Sequence, residues 1–262
     1  MRRNRRTASF VRRFAALALG LALPVAVARP AAGACQGAYT QYFRTFECTW
    51  ANTGSNPFFP LEPGRWSELR GQVDGELVEL RISVLFDTET VAGVETRVVE
   101  EREWVDGELA EVSRNYFAVC QQNGNVFYFG EDVDIYEDGE IVSHDGAWRA
   151  GLAGARAGVI MPGSYLLGSA YYQEIAPQTA LDRGCHTGMA LRVWTPAGNF
   201  RGCVQVDETT PLEPDDLSVK RYCPDVGLVY DDGVRLVDWS EAFSSKPPSE
   251  GHPSDELWRD WP

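Results

Sequence analysis

Apolar and polar residues alternate along much of this chain with a period of two. From Leu77 onward, Leu77, Glu79, Arg81 and Ser83 interleave with Val78, Leu80, Ile82 and Val84. Successive side chains of a strand point to opposite faces, so this stretch predicts a strand with one dry and one wet face. Residues 96–103 alternate less cleanly, as half-polar strands of an antiparallel sheet do. A strand ending near Cys120 and a second over 125–129 flank an Asn123-Gly124 turn. Beyond Pro162, strands are expected at 169–175, 189–194, 199–206, 217–222, 227–230 and 234–239.

The turns carry their own chemistry. Asp74-Gly75, Asp106-Gly107, Asp138-Gly139 and Asp232-Gly233 are pairs that tolerate the positive φ of tight hairpins. The first three recur at intervals of 32 residues, and residues 73–77 (VDGEL) reappear at 105–109. Hairpins of constant length explain this spacing. Residues 87–93 and 177–188 read as loops. Gly151, Gly154 and Gly158 mark a Gly-rich crossing that leads to Pro162. No stretch has a long helical period. The expected fold is all-β: a single antiparallel meander of about ten to twelve strands, closed or half-closed into a barrel, with a β-sandwich as the alternative. Leu77, Leu80, Ile82, Val84, Val126, Phe127, Phe129, Val204 and Val229 are the expected core.

The ends divide the chain further. Residues 1–34 read as an export signal, with Arg2, Arg3, Arg5, Arg6, Arg12 and Arg13 ahead of the apolar run 14–28. That run is too short for a membrane span. Small residues offer cleavage after Ala28 or after Ala34. Cleavage after Ala34 would leave Cys35 first, so lipoprotein acylation of Cys35 is a second reading. Residues 35–64 form a disulfide-tethered leading segment, with a short helix expected within 35–54 and an irregular Pro-rich stretch after it. The β domain spans 65–240. Residues 241–262 form an irregular Pro/Ser-rich tail, with Trp258 and Trp261 placed to dock on the domain or on a partner.

Charge and cysteines add a compartment. Without 1–34, 17 basic residues face 38 acidic ones, a net charge of −21. Nucleic acid and anionic membrane surfaces both need a positive footprint, so neither is an expected partner. The six cysteines of an exported chain are expected to form disulfides in the periplasm or outside the cell. The expected pairs are Cys35–Cys48 and Cys185–Cys203, which would close short loops, and Cys120–Cys223. The absence of a CxxC pair removes thioredoxin-like and zinc-ribbon readings.

Two stretches carry a resemblance. Residues 59–66 (FPLEPGRW) resemble the PLxPGxxW opening of many exported bacterial β-proteins. Residues 124–132 (GNVFYFGED), followed by 136–139 (YEDG) and 160–162 (IMP), resemble a group of exported bacterial β-rich proteins with no assigned activity. Residues 212–214 and 224–229 suit the same pattern, while Cys120, Cys185 and Cys223 stand outside it. The resemblance implies export and a β fold, and it carries over no catalytic residue.

Candidate chemistry is sparse. Glu131, Asp132 and Asp134, with Glu137 and Asp138 nearby, offer oxygens for calcium, the one cofactor entertained. The EF-hand spacing is absent, and alternation sets Glu131 against Asp132 and Asp134. A solvated strand edge gives the same composition. His144, His186 and His252 show neither HxH nor HExxH spacing, and no GxSxG elbow occurs. Trp104, Phe127, Phe129, Trp148, Tyr171 and Trp194, with Trp66, Tyr128 and Tyr172, are expected to line a sheet face or a ligand cavity. The leading expectation is a non-catalytic exported protein binding an apolar small molecule, a lipid or a partner surface. The alternatives are a secreted hydrolase and an envelope structural protein.

Overall fold

The structure is a computed structural model that describes Cys35 and residues 37–240. The expected export signal with its cleavage points, and the expected tail over 241–262, lie outside the described residues. One turn of 3-10 helix, Thr45–Glu47, is followed by β1 (Trp50–Ala51), β2 (Ser55–Asn56), β3 (Phe59–Pro60), β4 (Trp66–Val73), β5 (Glu76–Val91) and β6 (Val94–Val105). Next come β7 (Glu108–Cys120), β8 (Val126–Glu137), β9 (Glu140–Ser143), β10 (Trp148–Arg149), β11 (Arg156–Met161) and β12 (Ala170–Tyr172). The chain ends with β13 (Glu174–Ile175), β14 (Arg183–Thr195), β15 (Gly198–Thr210), β16 (Glu213–Cys223), β17 (Gly227–Asp231) and β18 (Val234–Trp239).

Thirteen of these strands form one hydrogen-bonded path, β12-β14-β15-β16-β17-β18-β4-β5-β6-β7-β8-β11-β13. Its two ends belong to one short segment. Ala170, Tyr171 and Tyr172 pair with β14, whereas Glu174 and Ile175 pair with β11. Gln173 is where the segment changes partner. The sheet is thereby nearly closed into an antiparallel barrel, and most neighbours around it are neighbours in sequence, with β18 beside β4 and β8 beside β11 among the exceptions. The expected ten to twelve strands become thirteen because this segment is split. A sandwich would need two separate sheets.

Gly158 makes that closure sterically feasible. A Cβ there would lie 2.4 Å from the Tyr172 carbonyl oxygen and 2.5 Å from that of Gln173. The hairpins turn where the Asp-Gly pairs predict. Asp74, Asp106, Asp138 and Asp232 have φ of 55°, 52°, 53° and 40°, with a positive-φ glycine after each. Two expected loops are strand in part. The β5–β6 turn sits at Ala92-Gly93, which puts residues 87–91 in β5, and β14 already starts at Arg183. The expected helix within 35–54 is only the 3-10 turn.

All six cysteines are paired, but in none of the expected pairs. The disulfides are Cys35–Cys185, Cys48–Cys120 and Cys203–Cys223. Barrel register, rather than short loops, decides them. β15 and β16 align Val204 with Tyr222, which sets Cys203 opposite Cys223. β1 pairs Trp50 with Cys120, which brings Cys48 onto the end of β7. Cys35 reaches β14 across a separation of 150 residues. Its Sγ is engaged there, so it is not the free thiol that acylation requires. Three disulfides suit an oxidising environment. No helix among the described residues is long and apolar enough to cross a membrane.

The core includes Leu80, Val84, Val126, Phe127, Phe129, Val204 and Val229, all buried, while Leu77 and Ile82 are half-buried. One apolar cluster gathers Leu69, Val78, Leu80, Val229 and Leu236; a larger one gathers the aromatics of β7 and β8. Ile82 and Leu228 pack against both.

Candidate functional site: the barrel lumen

The lumen holds two chambers of about 160 and 110 Å³. Tyr128, Glu131, Glu174, Asp182, Glu208 and Lys220 border both, forming a polar waist between them. The upper chamber adds an apolar wall that includes Ile82, Val84, Val99, Phe117 and Leu228, with Trp66 and Arg65 also on its boundary. Glu101 and Asp231 complete its acidic side. Trp148 and a run of small polar residues, including Thr179, Thr209 and Ser218, border the lower chamber.

Strand alternation brings these groups inward. Asn115 and Phe117 of β7 both line the upper chamber, whereas Tyr116 between them bonds Asp132 on the other face. On β8, Phe117 lies opposite Tyr128 and Asn115 opposite Glu131. The phenol of Tyr128 donates to Oδ1 of Asn115. On β15, Val206 and Glu208 have the same parity, as do Lys220 and Tyr222 on β16. The carboxylates therefore occupy positions that the pattern reserves for core residues.

Lys220 is the cation of the waist. Its Nζ is 2.9 Å from Oε2 of Glu208 and 3.8 Å from Oδ2 of Asp231. Gln173 Nε2 donates to the other oxygen of Glu208 at 2.6 Å. The Asp182 amide donates to Oε1 of Glu174 at 2.6 Å. Lys220 is shared by Glu208 and Asp231, and Glu101 and Glu174 face the same chamber. Burial pushes the Asp231 carboxyl up to about 7, against the pull of Lys220 and with further push from Glu208, Asp232 and Glu101. Burial also raises Glu101, despite Lys220. Glu174 stands well above the carboxylate range, again first through burial and then through Asp182. Burial keeps Tyr128 and Tyr222 as neutral phenols.

No protein-family model, curated protein or solved structure matches the chain. The site is therefore read from its geometry.

Of the six expected ligand-binding aromatics, Trp148 borders the lumen. Phe127 and Phe129 pack edge-on against Trp50 of β1, outside the lumen wall. Trp104 is buried in β6 without bordering either chamber. Tyr171 is buried with its hydroxyl 2.9 Å from His186 Nε2, and Trp194 is exposed at the end of β14. The calcium candidates separate as alternation requires. Glu131 lines the lumen, whereas Asp132 bonds Arg149 and Tyr116, and Asp134 bonds Arg114 and His144. Among the described residues, no group of three or more His, Cys, Asp or Glu side chains is arranged to hold a metal ion.

Neither described histidine borders the lumen. His186 stacks on Tyr165 at 3.7 Å, donates from Nδ1 to the Leu166 carbonyl and accepts the Tyr171 hydroxyl at Nε2. Burial lowers it to about 4, so it is neutral packing. Nδ1 of His144 lies 2.8 Å from the Val133 carbonyl and 3.0 Å from Asp134. Sequence reasoning missed Glu101, Glu174, Asp182, Glu208, Lys220 and Asp231. The signal was a charged residue at inward parity beside a valine or tyrosine, as in Val99/Glu101 and Val206/Glu208.

Proposed function

We propose that this chain is an exported β-barrel binding protein that holds a small molecule in its lumen. The observation that carries the reading is the lumen cavity, with an apolar wall on one side and converging polar groups at the waist. Ligand sites characteristically combine a mostly apolar wall with a few placed polar groups. Size narrows the class. An engineered protein cavity of about 150 Å³ accommodates benzene. The upper chamber, about 160 Å³, is of that order. It suits a compact body rather than a lipid chain. The apolar ligand expected from the aromatics fits the wall alone, because the waist offers hydrogen bonds and charge.

The test is native mass spectrometry of the protein purified from its own host, before and after mild organic extraction and chelation. A small-molecule adduct lost on extraction supports the reading. An adduct that Ile82→Trp leaves in place, in a folded variant, refutes a lumen site. An adduct lost only to chelator would return the protein to the metal-binding reading.

A further inference from the structure

The carboxylate waist, the apolar wall and one orphaned donor together specify a ligand more closely. We propose that the lumen binds a small protonated amine that also carries a hydrogen-bond acceptor, with its ammonium at the waist and its acceptor under the Trp148 indole. This rests on the lumen-binding reading above and names the ligand class for it.

Charge is the first ground. Lys220 is engaged by Glu208 and Asp231, while Glu101 and Glu174 line the same chamber. Burying carboxylates without compensation is strongly unfavourable, and an entering cation offsets it. An ammonium needs only two or three acceptors and brings an organic body that the apolar wall can cover.

Trp148 is the independent ground. Its side chain is only 6% exposed, borders the lower chamber and packs edge-on to Tyr128 at 5.1 Å. Its Nε1–H has no acceptor. A buried donor left unmade carries its full desolvation penalty. A hydroxyl or carbonyl oxygen on the ligand, a few bonds from the ammonium, would meet it. Compact apolar body, ammonium and oxygen, in that order, describe an amino alcohol or a close relative.

Proton coupling follows. Asp231 faces Lys220, Glu208, Glu101 and Asp232 and holds its proton to about 7. A ligand cation favours the ionised carboxylate and drives that proton off. Binding therefore releases protons near neutrality and strengthens between about pH 6 and pH 8, where the amine keeps its own charge.

Titration calorimetry with phenylalaninol, its deaminated alcohol and phenethylamine tests this, in two buffers of different ionisation enthalpy. Nitrogen-edited NMR of the Trp148 indole follows the same titrations. Phenylalaninol is expected to bind at one site per chain, at least about tenfold tighter than either comparator. It should release protons and move the indole resonance. Equal binding of the deaminated alcohol overturns the amine and leaves the lumen reading standing. Equal binding of phenethylamine with an unmoved indole overturns the acceptor. Binding with neither proton release nor an indole shift places the ligand outside the barrel and overturns both readings. No binding by any probe overturns the amine assignment.

Discussion

Tyr128 and Glu131 lie three residues apart on β8, and both face the lumen. Strict alternation would put them on opposite faces. A bulge reconciles them: Tyr116 pairs with Gly130 and Phe117 with Tyr128, so Phe129 is the extra residue. The bulge re-aims Glu131 inward, which is a common use of such irregularities near sites. Phe127 and Phe129, two residues apart, share the outer face as alternation requires, and each packs edge-on against Trp50.

Closure of the barrel hangs on a glycine. The Cβ of Gly158→Ala would collide with two backbone carbonyls, which cannot swing aside as side chains do. The substitution should cost about 1–3 kcal/mol. Amide exchange should accelerate first at β12 and β13. Gly75→Ala meets no atom within 4 Å, though its φ of 91° strains a side chain, and it should leave exchange at β12 and β13 unchanged. Exchange that rises uniformly around the sheet in Gly158→Ala would count against the seam.

The disulfides make a prediction about peptides. A non-reducing digest should link the Cys48 peptide to the Cys120 peptide and the Cys35 peptide to the Cys185 peptide. Chain entropy grows with loop length, so losing Cys35–Cys185 should cost more than losing Cys203–Cys223, roughly 5 against 3 kcal/mol. Denaturant unfolding of the two double-serine variants measures that order. Recovery of a Cys35–Cys48 linkage would return the pairing to the short-loop expectation.

Lys220 holds the waist together. Lys220→Met leaves Glu208 and Asp231 without their cation, and breaking one side of a buried pair costs about 3–5 kcal/mol. Carboxyls can recover by taking up protons, so the loss should shrink on acidification. Adding Glu208→Gln should restore part of it at neutral pH. Urea unfolding at two pH values reads both effects, and a loss independent of pH would show that Lys220 acts only through packing.

How much of this was legible depended on whether a feature is local. The Asp-Gly turns and the alternation of residues 77–84 are local, and they predict hairpins and a one-sided sheet. The barrel seam is not local, because it needs Gln173 to change partners between β14 and β11. The disulfides follow from the register of β15 with β16 and of β1 with β7, and from the reach of Cys35 to β14, none of which loop length reveals. Aromatic content pointed to Phe127 and Phe129, but both take the outer face, and the bulge turns Glu131 to the lumen beside Tyr128. Glu101, Glu208 and Asp231 sat among 38 acids, and parity alone did not distinguish a lumen carboxylate from a surface one. Their shared chamber does.

Stability should respond to pH through two groups of opposite sign. Asp231 has an ordinary value of 3.8, raised to about 7 in the fold. The folded state then binds the extra proton, so this contribution is full below 3.8 and is lost as pH rises through about 7. Three units amount to at most roughly 4 kcal/mol. Glu101 and Glu174 are also raised and act in the same direction. His186 falls from 6.5 to about 4, so its contribution is full above 6.5 and is lost as pH falls through about 4. Between those limits His186 offsets only one of these carboxyl slopes, so stability should decline gently as pH rises. Above about pH 6.5 only the carboxyls act, and the decline should steepen until they are ionised. Asp231→Asn should make that alkaline decline shallower, and His186→Gln should steepen the decline below about pH 6.5. Midpoints of thermal unfolding across this range read both limbs. An unchanged alkaline slope in Asp231→Asn would mean that Asp231 is already ionised in the fold, with Lys220 as its full counter-charge.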